Sequence, residues 1–301
     1  MYRKPLMIVV LLTSLCVNAE SPVQATHSRA YWRAVIVEKY RVPASEDVVS
    51  LATELASFVS SPDPEIRDSF GYEILANWIH QSGKFSTGEL NALHHTFLPY
   101  VLKGIGESGT NSVFQRSFAL LNLKELAAAD LKTPYLTDAT FNELFELAIK
   151  AISLEQDLRG YVPDKGWGHA TAHAADLLRI LARNDKLSVP QQSQLITAIA
   201  SRVRSASSVF VWGEDARLAA ALAAVANRAD ADLAAFDTWF AALRIEHRRL
   251  WQGEFVGASY VRVRAQANSL AQFAALVGSQ NNPKFPVKLR DQLHATLTVV
   301  N

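Results

Sequence analysis

Cysteine is nearly missing from this chain: one residue in 301, Cys16. It sits inside an apolar leader, so a processed protein has no disulfide and must be held by a hydrophobic core. Long hydrophobic runs are missing as well. The longest, Leu6–Val17, is too short for the roughly 20 residues that cross a bilayer as a helix. It follows Arg3 and Lys4 and precedes Val17-Asn18-Ala19, the layout of a secretory signal peptide cleaved after Ala19. The expectation is therefore a secreted or periplasmic protein, with 1–19 removed and no transmembrane segment left in the mature chain.

An excess of one charge is absent too. Removing Arg3 and Lys4 from the 30 basic residues leaves 28 against 29 acidic ones. Such a balance carries no overall electrostatic footprint for nucleic acid or an anionic membrane. His247, Arg248 and Arg249, with Arg262 and Arg264, are locally basic, which a solvated helix face explains equally well. Ser/Gly-rich linkers and sustained period-two alternation are also lacking. Residues 20–301 read as one domain, and about 280 residues suffice to bury roughly 75% of the unfolded surface.

What is present is helix after helix. The 3.6-residue pattern and cap residues predict helices over 28–40, 45–60, 64–82, 86–104, 111–129, 138–158, 166–184, 188–205, 214–227, 230–248, 255–277 and 284–298. The fold class expected is all-α: stacked antiparallel helical hairpins, as an open superhelix or a closed toroid. The segment Ser60–Ile79 resembles a HEAT repeat, with Asp63-Pro64 opening a helix, Arg67 and Asp68 following, and an apolar stripe through Phe70, Ile74, Leu75 and Trp78. Gln115-Arg116-Ser117-Phe118 echoes it 48 residues later, near the HEAT period of roughly 40–47 residues.

Chemistry concentrates in "EQDLRGYVPDKGWGHATAHAAD", residues 155–176. Glu155 and Asp157 are placed in the last turn of a helix, the unfavourable end of its dipole for an acid. A partner must offset that, and Arg159 is the nearest. Gly160 marks the stop, Pro163 stiffens the loop, and Asp164 is placed to cap the next helix. On a helical wheel His169, His173 and Asp176 share one face within about 60°, beside the apolar face rather than in it. Gly166 and Gly168 leave the helix start thinly covered, and Trp167 adds an aromatic surface.

Three uses fit these residue types. His169 and His173 at i and i+4 can hold a divalent metal such as zinc, with Asp176, Glu155 or Asp157 completing the shell. A histidine with a carboxylate can work as acid and base. A helix start beside Arg159 and Lys165 can receive an anion. The metalloprotease pattern is absent, because Ala170 stands where its glutamate would be. Against all three stands the reading that both histidines are hydrogen-bonded packing residues. Further residues within supporting reach are Arg67, Asp68, Arg116, Glu214, Asp215 and Arg217. Glu214 and Asp215 open a helix in the favoured dipole sense, with Arg217 able to pair with Glu214 at i+3. Arg116 reads as either reaching the acidic pair or forming a surface salt bridge. His94-His95 point to different faces and read as solvated, and the remaining tryptophans read as core or hairpin packing.

The run Glu155-x-Asp157-Leu-Arg159-Gly160-Tyr161-Val162, followed by Gly166-Trp167-Gly168-His169, His173 and Asp176-Leu-Leu, resembles a bacterial family of uncharacterised proteins. This is the domain of unknown function family twenty-seven eighty-five. Asp63-Pro64-x-x-Arg67-Asp68 and Arg116-Ser117-Phe118 are similar to its earlier motifs. The resemblance implies no activity. Two functional classes remain open on the residues: a helical-repeat protein binding a ligand, peptide, glycan or protein, and a metal-assisted or acid/base hydrolase using the same face.

Overall fold

The computed structural model describes residues 25–279 and 285–300. The expected signal segment, 1–19, lies outside them. Twelve α-helices run through the described residues: α1 (Arg29–Val37), α2 (Val48–Ser57), α3 (Leu75–His80), α4 (Thr87–Phe97), α5 (Ser112–Asp130), α6 (Asp138–Leu154), α7 (Ala170–Leu181), α8 (Val189–Arg204), α9 (Glu214–Ala226), α10 (Leu233–Leu250), α11 (Gly257–Ser279) and α12 (Val287–Val300). A π-wound segment, Glu65–Ile74, runs directly into α3. Among these helices none is long and apolar enough to cross a membrane.

The boundaries follow local chemistry. Ser86 and Glu89 close a capping box on α4, Ser188 and Gln191 another on α8, and Asp47, Thr137 and Asp232 cap α2, α6 and α10. Each cap satisfies amides that the first helical turn leaves unpaired. Because the connections are short, successive helices fold back on one another as hairpins. The hairpins stack in two layers. Helices α3, α5, α7, α9 and α11 pack in sequence in one layer, while α6, α8, α10 and α12 do so in the other, with α2 and α4 paired before them.

This stacking explains why α5 and α7 are buried nearly all round. Each has a neighbour on both sides in its own layer and α4 or α6 behind it. Polar residues in these helices must therefore find partners inside the protein. Asp130 illustrates how. At the end of α5 it accepts from the amides of Tyr135 and Leu136, both at 2.7 Å, and from Asn184 Nδ2 at 2.9 Å. One carboxylate thus ties the α5–α6 turn to the α7–α8 turn.

Three expectations need correction. The segment 166–169 is not helical: Tyr161–Val162 and Gly166–Trp167 pair as a short antiparallel ribbon, β1 and β2. Left-handed backbone at Asp164, Gly166 and His169 prevents a helix from starting before Ala170. His94 is buried, not solvated; only His95 faces water. Burial pushes the His94 pKa down to about 4, which keeps the ring neutral. Among the tryptophans, Trp32, Trp78 and Trp239 are core, but Trp212 and Trp251 are exposed.

Candidate functional site

Helix α6 ends at Leu154, earlier than expected, so Glu155 is its C-cap and Asp157 lies in the loop beyond. Both carboxylates are buried, and each is bound by its own arginine. Arg116 forks onto Glu155 through Nε (2.8 Å) and Nη2 (2.9 Å), while its Nη1 donates to the carbonyls of Lys103 and Gly104 and to Ser112 Oγ. All three nitrogens of the buried guanidinium are thereby engaged, and the pair is an interior bridge instead of a surface one. Arg202 of α8 donates to the Glu155 carbonyl from the other side.

Asp157 accepts from Arg159 Nε and Nη2, from the Arg159 amide at 3.0 Å and from the Gly109 amide at 3.0 Å. Burial pushes its pKa up, but the Arg159 fork and the two amides outweigh that and hold the carboxyl below its usual range. These contacts fix the loop that leads into the ribbon.

Asp164 does not cap α7. It occupies the ribbon turn at φ 62°, exposed, five residues ahead of the helix N-cap, which is His169. Gly166, at φ 75°, sits where a Cβ would lie 2.9 Å from Pro64 Cβ and 3.2 Å from Asp68 Oδ2. Beneath it Arg67 is wholly buried, its guanidinium 4.3 Å from the Phe114 ring centre and 4.7 Å from that of Phe118. Arg67 Nη2 donates to Lys165 O at 2.6 Å and Nη1 to Ser61 O, and Nε lies 2.7 Å from Asp68 Oδ1. Arg67 and Asp68 therefore clamp the ribbon onto the π-wound segment. Burial raises Asp68 to about 6 despite the neighbouring Arg67.

His169 leaves the ribbon in a left-handed conformation, so its ring does not follow the helical wheel. It stacks on Trp167 at 5.0 Å, and Nε2 donates to Trp212 O at 2.9 Å, with Glu214 3.7 Å away. Burial lowers its pKa, while the Glu214 carboxylate pulls the other way. His173 is more deeply set, with Nδ1 2.7 Å from Ser117 Oγ and 3.2 Å from Ser117 O. Its ring meets Phe118 edge to face, and burial, helped by His169, pushes its pKa down to about 3. His173 and Asp176 are thus inside the helix stack, where the wheel had placed them at its flank.

Asp176 is occupied as well. It pairs with Arg217 of α9, with Arg179 3.9 Å away on its other side. Arg217 consequently does not pair with Glu214, whose Oε2 instead accepts from the Trp212 amide at 3.0 Å. Asp215 Oδ1 accepts from the Ala216 amide. The two histidines are near one another, with ring centres 5.6 Å apart, but no carboxylate completes a shell around them. Among the described residues no three histidine, cysteine or acidic side chains are grouped to hold a metal ion.

The structure adds Trp212, Tyr72, His80 and Glu125, which lie outside 155–176, and gives Tyr161 and Gly160 a place beside the tryptophans. Trp212 stands edge to face on Trp167 at 5.8 Å and 87°, and Tyr161 meets Trp167 from the ribbon at 5.6 Å. Gly160 lies flat under Trp212, where any Cβ would collide with the indole. Tyr72 donates to Glu125 Oε1 at 2.7 Å, and His80 Nε2 meets Glu125 Oε2 at 2.7 Å. Burial opposes the charge on Glu125, yet His80, Lys124 and Tyr72 together hold its pKa down to about 2. A tryptophan directly before Gly213 and a helix start was the one local signal for Trp212.

A family model described as "Protein of unknown function (DUF2785)" matches residues 101–271. The chain belongs to this family. The DUF2785 match runs from just before α5 into α11 and contains Arg116, the whole 155–176 segment and Arg217, whereas Arg67 and Asp68 lie outside it. No curated protein and no solved structure matches the chain.

Proposed function

We propose that the protein is a secreted or periplasmic helical-repeat protein that binds a glycan on the polar-aromatic face around residues 155–176, extended by Trp212. Export is supported by the charged start, the short apolar run and Val17-Asn18-Ala19. Binding is supported by one observation above all. Trp167 and Trp212, 39% and 44% exposed, stand at right angles beside Tyr161, held from below by His169. Rigid aromatic faces with a polar edge suit a ligand that has flat apolar surfaces and a hydroxyl rim, as sugar rings do. Glu155, Asp157 and Asp176 are engaged by arginines, so they support the frame and leave recognition to the rings.

Titrating the protein with oligosaccharides while following tryptophan fluorescence tests this reading. A saturable change is expected in the wild type and not in Trp167→Ala or Trp212→Ala, with unfolding midpoints little altered. Saturation by peptides alone would redirect the reading to a peptide ligand. An unaltered titration in both variants would remove this face from binding.

A second reading, acid/base hydrolysis, is favoured by His173. Its hydrogen bonds use Nδ1 only, so Nε2 is the ring atom left to meet a substrate group, while the pKa of about 3 makes the buried ring a weak base at neutral pH. Product formation from the same oligosaccharides that persists in His173→Gln would eliminate it.

A further inference from the structure

The turn between α10 and α11 carries a separate aromatic cluster that shares no residue with the ribbon site. Trp251 is 60% exposed, Phe255 57%, Val256 52% and Tyr260 40%. The three aromatic rings meet one another at the surface, with Val256 exposed beside Phe255 in the chain. Trp251 stacks on Phe255 at 6.5 Å, Phe255 meets Tyr260 at 5.8 Å, and Trp251 Nε1 donates to His247 Nε2 at 3.2 Å. Four large apolar side chains gathered on one protruding turn mark a surface that is covered in use.

The surrounding charge says by what. Arg248 and Arg249 are exposed at the end of α10, and Arg262 is exposed near the start of α11. Two acids lie close in sequence: Glu246 is engaged by Arg204 at 3.2 Å, and Glu254 is exposed in the turn itself. Arginines therefore outnumber acids around the aromatic tip, although the whole chain is nearly neutral. Arg249 also lines a cleft of about 780 Å³ between α8 and α10, whose floor includes Ile196, Trp239 and Leu243. An adjoining hollow shares Arg204 and reaches Arg262.

We propose that this turn docks the protein onto an anionic phospholipid surface. Tryptophan and tyrosine rings favour the headgroup level of a bilayer, with Phe255 and Val256 reaching the acyl boundary below it. Arg248, Arg249 and Arg262, exposed on the two helices that flank the turn, offer guanidinium forks suited to lipid phosphates, although Arg262 also donates to Ser259 Oγ at 3.0 Å. The near-zero net charge makes the attraction local to the turn.

Vesicle flotation with the full chain tests the proposal, using phosphatidylcholine alone and phosphatidylcholine mixed with phosphatidylglycerol. The apolar run Leu6–Val17 is common to every variant, so comparisons between variants read the turn alone. The wild type is expected to prefer the anionic vesicles and to lose that preference as salt rises. Arg248→Gln with Arg249→Gln should lower the anionic partition by about fivefold for each arginine. Trp251→Ser with Phe255→Ser should lower it about tenfold or more, from lost apolar burial. Because all four side chains are exposed, both double variants should keep the wild-type urea midpoint. Equal partition into neutral and anionic vesicles, or wild-type partition in both variants, would overturn the proposal. So would lipid-free self-association that the Trp251/Phe255 variant abolishes, which would make the turn a contact between copies of the chain.

Discussion

Ser117 and His173 meet across the interface of α5 and α7, with Oγ and Nδ1 2.7 Å apart and both residues buried. The contact joins adjacent hairpins through neutral groups, because burial holds the His173 pKa at about 3. In the unfolded chain the same ring titrates near 6.5. Below that pH the unfolded state binds the proton and the folded state does not, so this residue's contribution is complete above about 6.5 and declines as pH falls towards 3. His94 acts in the same direction over the same acid range. Urea unfolding of wild type and His173→Gln from pH 8 to pH 4 should therefore show a shallower acid decline in the variant. His173→Ala at pH 7 is expected to cost about 1–3 kcal/mol, since Ser117 loses its partner. An acid decline equally steep in His173→Gln would refute the assignment.

Asp68 should behave with the opposite sign. Its folded-state pKa is raised to about 6 by burial, above the ordinary 3.8. Between those values the folded state holds the proton more tightly, so this carboxyl favours folding more as pH falls from about 6 to 4. Asp68→Asn removes the dependence. The difference between wild-type and variant stability curves over that window measures it, and a flat difference curve would show that Asp68 titrates normally.

Removing one member of the Arg116–Glu155 pair leaves the other charged and buried. Glu155→Gln is expected to cost about 3–5 kcal/mol in chemical denaturation, because the guanidinium keeps its burial and loses its fork. Arg116→Met combined with Glu155→Leu should recover part of that loss, as apolar replacement removes both desolvated charges. A double variant less stable than Glu155→Gln alone would indicate that the carbonyls of Lys103 and Gly104 depend on Arg116 more than Glu155 does.

Zinc and chelator should leave the thermal midpoint unchanged. Asp176 is taken by Arg217, and Ser117 and Trp212 O each take one ring nitrogen of the two histidines, so among the described residues no three donors face one point. Differential scanning fluorimetry with excess zinc, then with chelator, is the check. A midpoint that rises with zinc in the wild type and not in His169→Ala would establish a metal site after all.

Much of the fold was legible in the sequence because its determinants are local. Capping residues such as Ser86, Thr137 and Ser188 lie within three residues of the amides they satisfy, and the 3.6-residue pattern marks each helix without reference to any other. The segment 155–176 announced itself for the same reason: Asp157 and Arg159 are two residues apart and pair directly. Where local rules conflicted, the reading failed. Left-handed backbone at Gly166 and His169 turned an expected first helical turn into a ribbon, and with it rotated His169 away from the wheel position.

Only the tertiary structure decided the partners. Arg116 reaches Glu155 across 39 residues, Asp176 reaches Arg217 across 41, and Ser117 reaches His173 across 56. Each pairing depends on which helix stands next in the layer and on how far it has slid along its neighbour, quantities that no single helix encodes. The exposure of Trp212 and Trp251 was decided in the same way. Burial is a property of what packs against a side chain, and an indole written in the sequence is apolar whether or not the fold covers it.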